Sequence, residues 1–490
     1  MEADNMYQAL LDRDYNSILV LLDYLFQRES TQCTIRELDQ YFELNRKTIT
    51  RLVHMFMEDG EKEGWQEVQL QVNESGLRYK FEADYHPNRI YSYYVRKSLN
   101  FQLLDQLFND RFKSLHHFAE EHHSSLATVS RRVTKLRQLL SDYDLTLKLH
   151  GGQGIVGPEH QIRYFYTSVY WHIFSDGWWP FPTVDREDLL QALKQVPVIL
   201  PGADEIALMR YQFFLAVGIV RSQQGCGVTF LPETCQKFCS PALSYARFQQ
   251  LPQGSSQWQT LISDSREARF SYFCFCAAGI AMPVTVELDH QQVAISAETT
   301  QWLEHFLTHF QFQPTAIEMN YLRASLELLH AMSKVWQGIF YDFGKGSSEE
   351  VLVLREERLY QEMDCFTEGL LREPVFVQLA ERNPHLLFQY MLIARPVISH
   401  YQFILRVLVL SKVSYAQRKW LSQQVQKYAP VMVEIVTSLA GNWDVAVADF
   451  PVGPLTEQPE KIITIHPIPT ERDWQKVSTF LQEWAWQSSH

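Results

Sequence analysis

The sequence predicts a multidomain, mainly α-helical protein: two repeated N-terminal units of three helices and a β-hairpin, two all-α domains, and a C-terminal α/β domain. Three observations carry this. The chain has 490 residues, and at roughly 100 to 200 residues per domain that predicts about three to five domains. An order of three helical stretches followed by alternating apolar residues occurs twice before residue 160. Short, fully apolar strands alternating with helices close the chain.

In the first unit, Ile18, Leu19, Leu22, Leu25 and Phe26 mark one buried helix face over Tyr15 to Glu29. Thr34 can cap a second helix, Ile35 to Phe42, with Glu37 completing a capping box. A turn through Glu43 to Asn45 leads to a third helix, Arg46 to Glu58, ending near Gly60. Val68, Leu70 and Val72, then Leu77, Tyr79 and Phe81, alternate with polar residues on either side of Asn73 to Gly76, which predicts a hairpin. The second unit repeats the order: helices over Phe101 to Phe112, Leu115 to His122 and Ala127 to about Leu140, then Leu145, Leu147 and Leu149, a glycine-rich turn at Gly151 to Gly154, and Ile155-Val156.

From Ile162 to about His400 the pattern becomes long aromatic-rich helices broken at Trp178 to Pro182, Pro197 to Gly202, Gln249 to Ser256 and Gly344 to Ser348, a length for two all-α domains divided near Pro283 to Ala297. Phe270 to Val286 is the most apolar run; at fewer than the ~20 residues of a membrane helix, it reads as a buried helix and turn. Strands at Phe403 to Leu410, Val431 to Val436, Trp443 to Phe450 and Ile462 to Ile465, with helices at Tyr415 to Tyr428 and Glu471 to Trp486, predict a mainly parallel sheet.

Composition narrows the function. Hydrophobic residues are 46% and charged residues 21%, an ordinary globular balance that excludes wholesale disorder. The formal charge of −13, from 44 Lys+Arg against 57 Asp+Glu, excludes a surface basic everywhere, so contact with nucleic acid requires a local patch. Met1 to Asp14 carries acids and no apolar core, so no secretory signal is expected and the protein should be cytoplasmic, with no membrane partner. Seven cysteines do not suit a disulfide framework, and the Cys235, Cys239, Cys274 and Cys276 spacing lacks the usual metal-binding pairs.

Three helices and a hairpin form the winged helix-turn-helix plan, in which the third helix enters the major groove and the wing reaches the adjacent backbone. In the second unit Ser130, Arg131, Thr134, Lys135 and Arg137 lie on or beside one face with Arg132 next to it, while Val129, Val133 and Leu136 are buried. No acid occurs between Glu121 and Asp142, so this window is locally basic. In the first unit Asn45, Arg46, Lys47, Thr50 and Arg51 correspond, over buried Ile49, Leu52 and Val53. Neither half of the chain is basic overall. The Gly151, Gly152, Gly154, Gly157 loop lacks a following Lys-Ser or Lys-Thr pair and reads as a wing turn. His117, His122 and His123 read as surface or phosphate-contact groups. No catalytic motif is present; the chain is expected not to be an enzyme and to hold no cofactor or metal.

Leu147-Lys148-Leu149, Gly154-Ile155-Val156-Gly157-Pro158-Glu159 and Gln161-Ile162-Arg163 resemble the wing and linker of the Mga family of Gram-positive virulence and transcriptional regulators. With the domain order, the resemblance covers nearly the whole chain. It implies winged helix-turn-helix domains at 1–88 and 89–160, regulation domains of the sugar phosphotransferase system (PTS) at 161–290 and 291–398, and an α/β domain like the transporter component EIIB at 399–490. It further implies a homodimer, phosphotransferase proteins as partners, and phosphorylation on histidine, for which His172, His305, His309 and His330 are the candidates. EIIB domains that accept phosphate use a cysteine after the first strand; here Leu408-Val409-Leu410-Ser411-Lys412 has none, which points to oligomerisation.

The resulting reading is a transcriptional activator that binds double-stranded DNA in response to carbohydrate status. The alternatives are an RNA-binding antiterminator with the same regulation domains and a PTS phosphocarrier.

Overall fold

The computed structural model describes residues 9–489 apart from 29, 43, 73–75, 84, 150–153, 175–177, 201–202, 241–242, 281–294, 339–356, 401–403, 439–441 and 453–458. The Gly344 to Ser348 break, Glu43, Gly151, Gly152 and most of the Pro283 to Ala297 division lie outside the described residues. The chain divides into two compact units, Met1–Ile393 and Ala394–His490.

The larger unit begins with α1 (Arg13–Phe26), β1 (Gln32–Cys33), α2 (Ile35–Phe42), α3 (Arg46–Glu63), β2 (Val68–Val72) and β3 (Leu77–Phe81). Thr34 and Glu37 make the reciprocal cap of α2, Thr34 N donating to Glu37 Oε2 at 2.7 Å and Glu37 N to Thr34 Oγ1 at 3.2 Å. α3 runs through Gly60 to Glu63, because the left-handed residue that ends it is Gly64 (φ 67°). β2 and β3 pair antiparallel with Leu70 opposite Tyr79, both on the buried face. The short β1 joins the outer edge of β3, making a three-stranded sheet the sequence reading did not include. Gly76 permits this: a Cβ there would lie 2.3 Å from the Cys33 carbonyl oxygen.

The second repeat starts with a helix that the alternating pattern did not reveal, α4 (Pro87–Lys97), followed by α5 (Leu99–Phe108), α6 (Leu115–Glu121), α7 (Leu126–Asp142), β4 (Thr146–Lys148) and β5 (Gly154–Val156). Proline at the first position of α4 suits its start, where no backbone donor is lost. β4 and β5 form a two-stranded ribbon with Leu147 opposite Ile155. Tyr15 of α1 stacks on Tyr94 of α4 at 4.9 Å between centroids, fastening the repeats together.

The aromatic helices follow: α8 (Glu159–Phe174), α9 (Glu205–Gln223), α10 (Ser265–Ala277), α11 (Ala297–Phe310), α12 (Ala316–Val335), α13 (Glu357–Leu370), α14 (Pro374–Arg382) and α15 (Leu386–His400), with shorter helical turns between them. α8 is buried almost all round, as expected of a helix that reads apolar and aromatic on every face. Trp336, just past α12, is fully buried and stacks on Tyr164 of α8 at 4.6 Å. Gln161 clips the same segment, its side-chain amide donating to the Gln337 carbonyl at 2.7 Å and accepting from Gln337 N at 3.1 Å. The core therefore runs from the first repeat to the end of α12.

In the C-terminal unit, β6 (Leu405–Leu410), β7 (Val433–Val436), β8 (Val445–Ala448) and β9 (Ile462–Thr464) form a parallel sheet in the order β7-β6-β8-β9. α16 (Tyr415–Tyr428) and α17 (Glu471–Ser489) pack with it, and Leu405, Val407, Val409, Leu421, Val425, Val445, Val447 and Leu481 form its core. The central β8 is apolar throughout and β6 is apolar but for Arg406, as burial on both faces requires.

Candidate nucleic-acid interface

α3 and α7 occupy the recognition position of the two repeats and are built alike. Asn45 Oδ1 caps α3 by accepting from Thr48 N at 3.0 Å, and Ser125 Oγ caps α7 by accepting from Thr128 N at 3.2 Å. Counting from these caps brings the helices into register: Ile49 with Val129, Val53 with Val133 and Phe56 with Leu136 are all buried. Arg51 and Arg131 fall at the same step. Burial of one stripe leaves the opposite stripe exposed, and there the structure places Asn45, Arg46, Lys47 and Arg51 on α3, with Thr50 half-buried, and Ser130, Arg131, Thr134, Lys135 and Arg137 on α7.

The arginines are not equivalent. Arg131 reaches only Thr128 Oγ1, at 3.4 Å, and makes no ion pair among the described residues. Arg51 forks onto Asp14 of α1, Nη1 to Oδ2 at 2.7 Å and Nη2 to Oδ1 at 2.9 Å. That hydrogen bonding holds the Asp14 carboxyl below its usual range. Arg132 turns from the exposed face and sets Nη2 2.9 Å from Asp12 Oδ1, both side chains being largely covered. Asp12 and Asp14 were not singled out from the sequence, because their partners lie 120 and 37 residues away and no local pattern announces such contacts.

The second repeat is anchored to α8. Tyr170 donates to Asp105 Oδ1 at 2.7 Å. Gln224 Nε2, just past α9, donates to the Phe108 carbonyl at 2.7 Å. Beneath these contacts Arg163 is buried between Glu159, 3.0 Å from Nε, and Glu267, 2.6 Å and 2.8 Å from its two terminal nitrogens. Arg221 takes the other oxygen of Glu159 at 2.7 Å.

The candidate phosphorylation sites differ in access. His172 is half-buried with Nδ1 2.7 Å from the Ser168 carbonyl oxygen. His305 is half-buried, and His309 sets Nε2 3.5 Å from Glu362. His330 is fully buried, with Nδ1 2.8 Å from Thr299 Oγ1 and Nε2 2.7 Å from Tyr390 Oη, so both ring nitrogens are engaged. Burial pushes its pKa down to about 3. Of the residues flagged near α6, His122 packs on Phe118 at 4.2 Å between rings, which makes it a packing group.

In the C-terminal unit, Ser411 Oγ donates to Asp449 Oδ2 at 2.5 Å and Lys412 N donates to Asp449 Oδ1 at 2.9 Å, so an internal carboxylate fills the loop after β6. Among the described residues no group of three or more His, Cys, Asp or Glu is placed to hold a metal ion, and no helix is long and apolar enough to cross a membrane.

A repeated order of helices and antiparallel strands, with Arg and Lys on the exposed face of α3 and α7, is that of a helix-turn-helix protein. Residues 84–170, from the approach to α4 into α8, match the Mga helix-turn-helix domain. The chain is also a distant homologue of the capsule synthesis positive regulator AcpB of Bacillus anthracis, 24% identical over 216 residues. That alignment covers 44% of this chain and 44% of AcpB, less than half the length of the relative.

Proposed function

We propose that this protein is a transcriptional activator of the Mga type that binds double-stranded DNA through α3 and α7. The observation that carries the reading is the repeated recognition helix: two helices capped alike, buried at the same steps, and presenting arginine or lysine on the free stripe inside an otherwise acidic chain. The Mga domain match and the positive-regulator title of the distant homologue support it. Phosphate contacts from Arg46, Lys47, Arg51, Arg131, Lys135 and Arg137 would supply most of the affinity and make it salt-dependent.

In the same reading α8 to α15 form two PTS regulation domains, which sense carbohydrate status through histidine phosphorylation, and the C-terminal sheet is an EIIB-like module used for dimerisation. His172, His305 and His309 are the more accessible histidines. His330 would first have to leave the Thr299–Tyr390 clamp.

The test is binding of the purified chain to labelled duplex fragments across a salt series, beside the Arg131→Ala/Lys135→Ala variant and a hairpin RNA of equal length. Salt-dependent duplex binding that the variant loses is the expected result. Preference for the RNA, or no duplex binding at any salt, would overturn the assignment.

A further inference from the structure

The segment that opens α1 touches both recognition helices. Asp12 is the N-cap of α1, a position where aspartate ordinarily accepts from its own helix, yet its side chain makes no capping bond. Its Oδ1 instead faces Arg132 of α7 at 2.9 Å. Two residues on, Asp14 takes the fork of Arg51 from α3. The approach is pinned to the second repeat, with Asp12 N donating to Ser98 Oγ at 3.1 Å and Asn100 Nδ2 to the Ala9 carbonyl at 2.6 Å. Burial pushes the Asp12 carboxyl up from its ordinary value, against the pull of Arg132, a hydrogen bond from the Leu99 backbone N–H, and Lys135. The Asp14–Arg51 pair is half-exposed on both sides, 45% and 53%, and pairs so exposed add little to stability. Arg131, in register with Arg51, has no carboxylate against it among the described residues.

We propose that Asp12 and Asp14 form an acidic clasp that occupies one arginine of each recognition helix, Arg132 and Arg51, in the unbound protein and yields them to backbone phosphates when a duplex docks. The inference rests on the DNA-binding reading above. Each carboxylate stands where a phosphate oxygen would stand, offering a guanidinium the same bidentate or end-on partner. The clasp lowers affinity for any duplex and raises the discrimination between weak and strong sites, since a site must replace two existing partners.

The test is a set of two double-mutant cycles read by anisotropy of a labelled duplex over a salt series. Asp14→Asn is expected to tighten binding several-fold while leaving the slope of log affinity against log salt nearly unchanged, because Arg51 reaches the same phosphate in both complexes and only the cost of releasing it differs. In an Arg51→Ala background the same substitution should change affinity by less than twofold. Asp12→Asn with Arg132→Ala forms the second cycle, with thermal melts to verify folding; the exposed Asp14–Arg51 cycle decides the matter if the Asp12 variants fold poorly. Equal tightening with and without Arg51 would mean general relief of repulsion, and the clasp would be wrong. Weaker binding by Asp14→Asn would mean that Asp14 merely positions Arg51, which also overturns it. Duplex binding by the wild type without coupling removes the clasp alone, whereas no duplex binding by any form removes the DNA reading and the clasp with it.

Discussion

The backbone of Gly338 lies against the ring of Tyr143, so close that a Cβ at residue 338 would be 2.5 Å from Tyr143 Cδ1. Tyr143 ends α7, and Gly338 (φ 111°) follows α12, with its N–H donating to the Arg382 carbonyl at 3.0 Å. The end of α7 thus rests on the segment that follows α12. Gly338→Ala brings both a steric clash and an unfavourable backbone angle, and is expected to destabilise the protein by ~2–4 kcal/mol. Urea unfolding would measure this, and the loss should fall sharply in Gly338→Ala/Tyr143→Leu if the ring is the obstacle.

Arg131 and Lys135 are exposed, and neither supports the core. Replacing either with alanine should leave the melting temperature within a degree or two, because surface changes of this kind fall within about ±0.5 kcal/mol. The salt slope of duplex binding should shrink by about one per residue that contacts phosphate. A melting temperature that fell together with affinity would show that the side chains serve the fold instead.

Removing Arg163 strands Glu267, since Glu159 keeps Arg221. Glu159 and Glu267 are each about nine-tenths covered, and Arg163 bridges them from the interior. Arg163→Met is expected to cost ~3–5 kcal/mol, the usual penalty for leaving a buried ion-pair partner uncompensated. The companion change Arg163→Met/Glu267→Gln should recover part of it, read by denaturant titration.

The buried His330 makes stability depend on pH. Its folded pKa is pushed down to about 3 by burial, whereas in the unfolded chain it titrates near the ordinary ~6.5. Between those values unfolding takes up a proton, so stability falls as pH drops, by up to ~1.4 kcal/mol per pH unit from this group. His160, pushed down to about 4 by burial, acts in the same direction. Melting temperatures from pH 7.5 to 4.5 should decline less steeply in His330→Gln, although that variant starts lower because it disturbs the clamp with Thr299 and Tyr390.

Where one face of an element is buried and the other wet, the sequence announces it. Ile35–Phe42 and Tyr415–Tyr428 begin and end where their caps and apolar spacing say, and the Val68 to Phe81 hairpin follows its alternation. Pro87–Lys97 escaped because Tyr91, Tyr93 and Tyr94 cluster where a helical stripe should be spaced, the helix being held between α1 and α8 by tertiary contacts. Gln32–Cys33 is extended only because β3 offers an edge. At the candidate interface the residue types on α3 and α7 were legible, since charge and cap positions are local. Which arginines are already engaged was not, because Asp12 and Asp14 meet them only in three dimensions.

That three-residue bridge also sets a ruler. Asp12 and Asp14 are at most two Cα steps of about 3.8 Å apart, so with two short carboxylate arms and two ion-pair contacts the Arg51 and Arg132 guanidiniums lie within roughly 20 Å of each other. Half-sites read from one face of a duplex recur every ~34 Å. On the proposed function, one chain therefore spans at most about six base pairs between these two arginines, at ~3.4 Å each, and its footprint should be a single short uninterrupted tract. Any target with two separated protected tracts would be recording two copies of the chain.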